Sequence, residues 1–374
     1  MGRGANASRE NLEASEVTWQ RYRANVARHL IGIARDLQVG VLEHLRDEQG
    51  YKGLRPSLGP FLSLVWLEGR PLTAIAAQLA ISKQACGQLA NLAEQSGYLE
   101  RVPGPNQRRG KRVLLTPLGR ALVEDAIRII RERDSDYAAL VGSARYREFT
   151  DGAASLFAGL GIPSHADLAV QAAGTRSMGV LPLLALAVQE RLMEAALARG
   201  HAGLKISHGQ ILPLLGPAGM RLRDLASIHR VSRQAISVTS RDLERLGYVR
   251  RAPDSKDRRG VLLMLTARGE RLIRDSVDAL AGLEDLFAKI LGDASFRAFE
   301  GVAAELFQAL HLEEETFGGG TPRRAMLRAV DAARVSTGEA DLHEIARTLE
   351  RSLGRRDALA LGRLLTSGKH RQFE

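Results

Sequence analysis

The chain repeats itself. Residues 57–103, opening SLGPFLSLVWLEGRPL, align without a gap on residues 207–253, opening SHGQILPLLGPAGMRL, at an offset of 150. From Gly50 to Gly119, about 24 of 70 positions are identical to their partners in the second copy, well above chance for an ungapped alignment. Ser82 meets Ser232, Gln84 meets Gln234, Gly97 and Tyr98 meet Gly247 and Tyr248, and Leu115-Thr116 meets Leu265-Thr266. The offset persists to Phe149 opposite Phe299 and Leu156-Phe157 opposite Leu306-Phe307. Two copies of this length are not a solenoid, whose short repeats cannot bury a core alone. Each is long enough to hold its own core, so the pair reads as a homodimer written in one chain.

Gly- and Pro-containing stretches at Gly159–Pro163 and Phe317–Pro322 mark the seams. The expected organisation is a disordered N-terminus over 1–16, a first unit over 17–163, a second over 164–316, and a linker with a C-terminal helical tail over 317–374. In the tail, Asp341 with Glu344 has capping-box spacing ahead of an apolar stripe at Leu342, Ile345, Leu349 and Leu353.

Composition narrows the partners. The formal charge of +10 suggests a polyanion such as nucleic acid or an anionic membrane, and the arginine bias, 46 of 53 cationic residues, fits an arginine-favouring genome better than phosphate recognition. The single cysteine, Cys86, excludes an internal disulfide framework, a cysteine-rich zinc site and CxxC redox chemistry. No segment approaches the ~18 apolar residues of a membrane span. The N-terminal charges are followed by no apolar stretch, so no signal peptide is read there and a cytoplasmic location is expected. No GxSxG, HExxH, GxxxxGK[ST] or paired-carboxylate pattern occurs, so the expectation is no enzyme, no cofactor and no metal.

In the second copy, Leu222, Leu225, Ala226 and Ile228 suit a short helix from about Arg221 to His229. After a turn at Arg230-Val231, Ser232 caps a helix with apolar residues at Ala235, Ile236, Leu243 and Leu246, and Gly247 ends it. Two short helices joined by a tight turn make a helix-turn-helix, whose second helix faces a major groove. Its outward face reads Arg233, Gln234, Ser237, Val238 and Arg241. Next come Tyr248–Ala252, a turn over Pro253–Gly260 and Val261–Thr266, a β-hairpin with a basic tip that forms a wing. Apolar helices at Leu183–Leu197, Ala267–Ile290 and Phe296–Leu310 are expected to form a helical layer where the copies pack. The fold class is mainly α with small β-hairpin wings: two tandem winged helix-turn-helix domains joined by a helical pseudo-dimer layer.

The segment DSKDRRGVLLMLTARGERLI, Asp254 to Ile273, resembles the wing and following helix of MarR-family transcription regulators, and SRQAISVTSRDLERLGYV, Ser232 to Val249, resembles their recognition helix. The resemblance covers 183–312 well and 37–160 less well. It implies a homodimer-like assembly on double-stranded DNA, here as a tandem fusion, and a repressor that a small effector releases. It also implies roles. Ser232 caps the helix and contacts phosphate. Arg233, Gln234, Ser237, Val238 and Arg241 meet base edges or backbone, arginine suiting guanine and glutamine suiting adenine. Asp257 holds the wing while Arg258 and Arg259 reach the DNA, Arg259 entering the minor groove.

The first copy presents Ser82, Lys83, Gln84, Gly87, Gln88 and Asn91 on its helix and Arg108, Arg109 and Lys111 on its wing. Gln107 stands where Asp257 stands in the second copy, so the orienting carboxylate is missing while the charge survives. Two such faces cannot read identical half-sites, and an imperfect or non-palindromic operator follows. Cys86 aligns with Ile236 and reads as a buried apolar residue, and His201 and His208 as satisfied loop histidines. Phe61, Trp66, Leu212 and Leu215 read as core near the junction where the family implies an effector site. Competing readings are a replication-initiator-like or architectural DNA-binding protein, and a winged-helix scaffold for protein interactions.

Overall fold

A computed structural model of the chain describes residues 16–66, 69–79, 81–103, 111–162, 178–205, 207–216, 219–228, 233–254 and 257–312. All of them lie in the first of two compact units, Met1–Thr316; the second, Phe317–Glu374, with its expected linker and tail helices, lies outside them. The N-terminus over 1–15, the first wing tip over 104–110 and most of the first seam, 163–177, also lie outside the described residues.

The elements run α1 (16–23), α2 (Val26–Asp47), α3 (Leu58–Val65), β1 (Arg70–Pro71), α4 (Leu72–Gln78), α5 (Lys83–Gln95), β2 (Leu99–Pro103), β3 (Lys111–Leu115), α6 (Pro117–Val141) and α7 (Ser143–Gly159). After a 3-10 turn at Met178–Val180 come α8 (Leu181–Ala198), α9 (His208–Leu215), β4 (Met220–Arg221), α10 (Leu222–Ile228), α11 (Arg233–Arg245), β5 (Val249–Asp254), β6 (Asp257–Leu265), α12 (Ala267–Leu291) and α13 (Asp293–Ala309). The order of elements from α3 to α7 recurs from α9 to α13. Two antiparallel three-stranded sheets have matching orders, β1-β3-β2 and β4-β6-β5, and matching registers, with Leu99 opposite Leu115 and Val249 opposite Leu265.

Local chemistry fixes the same boundaries twice. Gly97 and Gly247, at φ +79° and +76°, end α5 and α11. The amides of Tyr98 and Tyr248 then reach back to the carbonyls of Ala93 and Leu243, which closes each helix with a Schellman pattern. Thr116 and Thr266 cap α6 and α12 by accepting from Gly119 and Gly269 at 3.0 and 3.1 Å. Their hydroxyls also donate to the Gly97 and Gly247 carbonyls, both at 2.6 Å. A Cβ on Gly119 or Gly269 would stand 2.0 or 2.2 Å from the Tyr98 or Tyr248 carbonyl oxygen, so only glycine lets the long helix start against the hairpin.

The long helices meet in one helical core. Leu30, Ile33 and Leu37 of α2, Tyr137 of α6, Phe149 and Leu156 of α7, Leu184 and Val188 of α8, Phe287 of α12, and Phe299 and Leu306 of α13 are buried together. Phe149 and Phe299, 150 residues apart, stack with ring centroids 4.7 Å apart. A second core, with Phe61, Ile75, Ala90, Tyr98 and Val113, fills the space between α3, α4, α5 and the first sheet.

Several features depart from the sequence expectations. Helix α2 carries a stripe of buried residues from Val26 to Leu37 and was not among the expected elements. Strands β1 and β4 add a third strand to each hairpin. The second hairpin pairs as far as Asp254 opposite Asp257, so the turn is shorter than the eight residues from Pro253 to Gly260 that the sequence suggests. On α8, Leu186 and Leu197 are exposed, because the helix buries only one side in the layer. No helix among the described residues is long and apolar enough to cross a membrane.

Truncating either stacked ring opens a void in a fully packed layer. Phe299→Ala and Phe149→Ala should each lower stability to urea by about 3–5 kcal/mol. Because the rings touch, the double variant should lose less than the sum, by about 0.5–1.5 kcal/mol in a double-mutant cycle.

Candidate nucleic-acid interface

Each sheet carries a short helix, a turn and a second helix laid across it, with the hairpin following. On α5 the inward side is Cys86, Ala90 and Ala93, all fully buried, and the Cys86 thiol is pushed up in pKa by burial. Ser82 caps the helix by accepting from the Ala85 amide at 3.1 Å. Lys83, Gln84, Gln88 and Asn91 are exposed and Gly87 is half-buried beside open space. On α11, Ile236, Ser240 and Leu243 face inward, Ser237 is half-buried, and Val238 and Arg241 are exposed. Ser232, Arg108 and Arg109 lie outside the described residues, as do the side chains of Arg233, Gln234, Lys111, Asp257, Arg258 and Arg259. For the last six of these the backbone is placed: Arg233 and Gln234 open α11, Asp257, Arg258 and Arg259 lie on β6 beyond its pairing with Val261, and Lys111 opens β3.

Ion pairs that the sequence reading did not anticipate hold these faces. Arg101 of β2 pairs with Glu94 of α5, and Arg251 of β5 pairs with Glu244 of α11 at 3.1 Å. The same strand thus ties the same turn of each helix, which fixes helix orientation against the hairpin. Arg101 also donates to Asn91 Oδ1 at 2.6 Å. That occupies the acceptor Asn91 would need for two-point contact with adenine, leaving its amide NH2 as donor. At the matching place Arg241 donates through Nε to the Ser237 carbonyl at 3.2 Å.

The second wing has a buried anchor. Asp254, 6% exposed, accepts from Arg221 Nε at 2.5 Å and forms an ion pair with the same guanidinium, where a register shift falls between Pro253 and Asp254. Arg221 sits on β4, so this carboxylate ties the outer end of the hairpin to the edge strand. The first copy has Pro71 and Gly104 at these places. There, Arg112 instead donates to the Gly69 carbonyl. A carboxylate three residues ahead of Asp257, with an arginine on the preceding edge strand, was the available signal, but the edge strand itself is too short to read from periodicity.

A second polar cluster braces α11 from below. Asp242 accepts from Lys205 Nζ at 2.5 Å and from Arg245 Nη2 at 2.7 Å, and lies 3.2 Å from His208 Nε2. The Lys205 amide donates to His208 Nδ1 at 3.1 Å, which places the neutral ring's proton on Nε2, toward Asp242. Burial pushes the His208 pKa down, against the pull of Asp242, and the hydrogen bonds from Lys205 and Arg245 hold the Asp242 carboxyl well below the usual carboxylate range. His201, fully buried, meets Asp275 Oδ2 at 2.7 Å, where the first copy has Tyr51 donating to Asp125 at 2.8 Å. Burial and the hydrogen bond to Asp125 push Tyr51 up to about 12. The described residues hold no group of three or more His, Cys, Asp or Glu placed to bind a metal.

Between the winged cores and the helical layer lies a cleft of about 1260 Å³, lined among others by Leu62, Ala126, Leu186, Met193, His208 and Leu212. Phe61 and Leu215 are core residues and Trp66 is half-buried.

The fold is mainly helical with small antiparallel sheets, an arrangement consistent with a winged helix. Residues 202–260, from the loop before α9 into β6, match the model of the MarR family. No curated protein matches the chain. The crystal structure of transcriptional regulator Tm0710 from Thermotoga maritima is 21% identical to it, covering 33% of this chain and 87% of that chain, with a TM-score of 0.26.

Breaking the Arg221–Asp254 pair from one side removes an ion-pair partner from a buried carboxylate. Arg221→Ala should lower the unfolding free energy by about 3 kcal/mol, and the Arg221→Ala, Asp254→Ala pair should recover part of it. Thermal unfolding of the three variants checks this.

Proposed function

We propose that the protein is a sequence-specific DNA-binding transcription regulator of MarR type, acting as a cytoplasmic repressor. Two non-identical winged-helix units of one chain contact an imperfect operator, with half-sites about one helical turn apart. One observation carries the reading: two exposed helix faces, on α5 and α11, each lead into a hairpin rich in arginine, and a shared helical layer holds both. The MarR family match over residues 202–260 supports the same reading for the second unit. The charge of +10 supplies the salt-dependent phosphate attraction. In this reading a small effector occupies the cleft and changes the spacing of α5 and α11, weakening DNA binding through its different affinity for the two states.

The deciding experiment measures binding of the purified full-length chain to its own upstream DNA and to scrambled DNA of equal length, across a salt series, with footprinting. Protection of one site at salt concentrations that abolish binding to scrambled DNA supports a regulator, and the symmetry of the footprint reports whether both units read bases. Salt-sensitive binding without sequence preference points to an architectural role. Absence of binding points to a protein-interaction scaffold. Within the site, Arg259→Ala should cost more specific affinity than Arg109→Ala, by roughly 1–3 kcal/mol of lost discrimination. Only the second wing has Asp257 and the Arg221–Asp254 anchor to place its arginine. Equal losses in a gel-shift titration would show that the wing carboxylates do not position it.

A further inference from the structure

We infer that Val238 reads a thymine methyl group, and that the pair Gln88 and Val238 makes the two halves of the operator chemically different. The inference rests on the DNA-binding reading above. Helix α11 turns its inward side, Ile236, Ser240 and Leu243, into the sheet. At about 100° per residue, Val238 lies about 200° round from Ile236, on the outward face with Arg241 and Arg245. It is 56% exposed, among the most exposed large apolar side chains described. Folding offers no reason for it. A β-branched residue is a poor choice in an exposed helix interior, and its methyls gain nothing from water. The matching residue of α5 is Gln88, also exposed, so the frame accepts a polar side chain there.

Binding offers a reason. In the major groove, thymine alone presents an apolar group, its C5 methyl, while the other bases present donors and acceptors. A short branched side chain on the outward centre of the helix covers that methyl and has no hydrogen bond to give to a competing base. The Gln88 amide instead matches the N7 acceptor and N6 donor of adenine. With Asn91 partly engaged by Arg101 and Arg241 standing at the matching place in the second helix, the difference in readout extends along both faces.

The test selects the site of the full-length chain from a random duplex library, then replaces its thymines one at a time by deoxyuridine, which removes only the methyl. One replacement, in one half of the site, should weaken binding about four-fold, the transfer free energy of a single buried carbon. Val238→Gln, a change to a better helix former at an exposed position, should retain the fold by circular dichroism and lose sensitivity to that same replacement. If a site is selected but no deoxyuridine replacement weakens binding, or the same one weakens the wild type and V238Q equally, the inference is overturned while the regulator reading stands. Selection that yields no preferred sequence overturns both.

Discussion

The stacked pair Phe149 and Phe299 sets the frame for everything else in this molecule. The two rings stand at matching positions of the repeat and join α7 to α13 at the centre of the helical core. Gly152 shows how close the approach is: a Cβ there would stand 2.8 Å from the Phe299 ring. Helices α6 and α12 run from this layer to the hairpins, and each begins on a threonine cap pressed against the tyrosine that ends a reading helix. The position of α5 and α11 is therefore set from the centre outward through rigid helices.

On this common frame the two halves are fitted out differently. The first has an apolar Leu58 and Leu92 where the second has the coupled His208 and Asp242, and a tyrosine where the second has His201. It has Gly104 where the second has the buried Asp254. Both halves tie helix to hairpin with a Glu–Arg pair, and the second adds the Asp242 cluster under α11 and the Arg221–Asp254 anchor of its wing. Charged anchors demand defined geometry, since each loses much of its value when a partner moves.

Much of this was legible in the sequence for a physical reason. The ends of α5, α11, α6 and α12 depend on glycine conformation and threonine caps, which are local and leave residues as evidence. Burial of Cys86 followed from its alignment with Ile236, and both are inside. What was missed depends on long-range partners. Strands β1 and β4 are two residues each and exist only because β3 and β6 pair with them. Helix α2 is amphipathic but stands before the repeat is strong enough to draw attention to it. The reach of the second hairpin to Asp257 depends on a register shift at Pro253 and Asp254 and on an arginine over thirty positions earlier in the chain, neither visible in a turn-rich stretch.

The pattern of identity between the copies has the same physical content. Positions that the backbone geometry constrains are identical: Gly97 and Gly247, Tyr98 and Tyr248, Thr116 and Thr266, Gly119 and Gly269, and the Glu–Arg pairs that tie helix to hairpin. On the outer faces Gln84 and Gln234 match, while Gly87 and Ser237, Gln88 and Val238, and Asn91 and Arg241 differ. Folding constrains the first group in each copy separately, because the same close approach recurs in each. The second group is constrained less: Asn91 accepts from Arg101 and Arg241 donates to the Ser237 carbonyl, while Gln88 and Val238 are exposed. In a homodimer the outward faces would be forced to change together. In the reading proposed above, a chain that carries both faces is free of that constraint, and the differences between α5 and α11 are where that freedom is expressed.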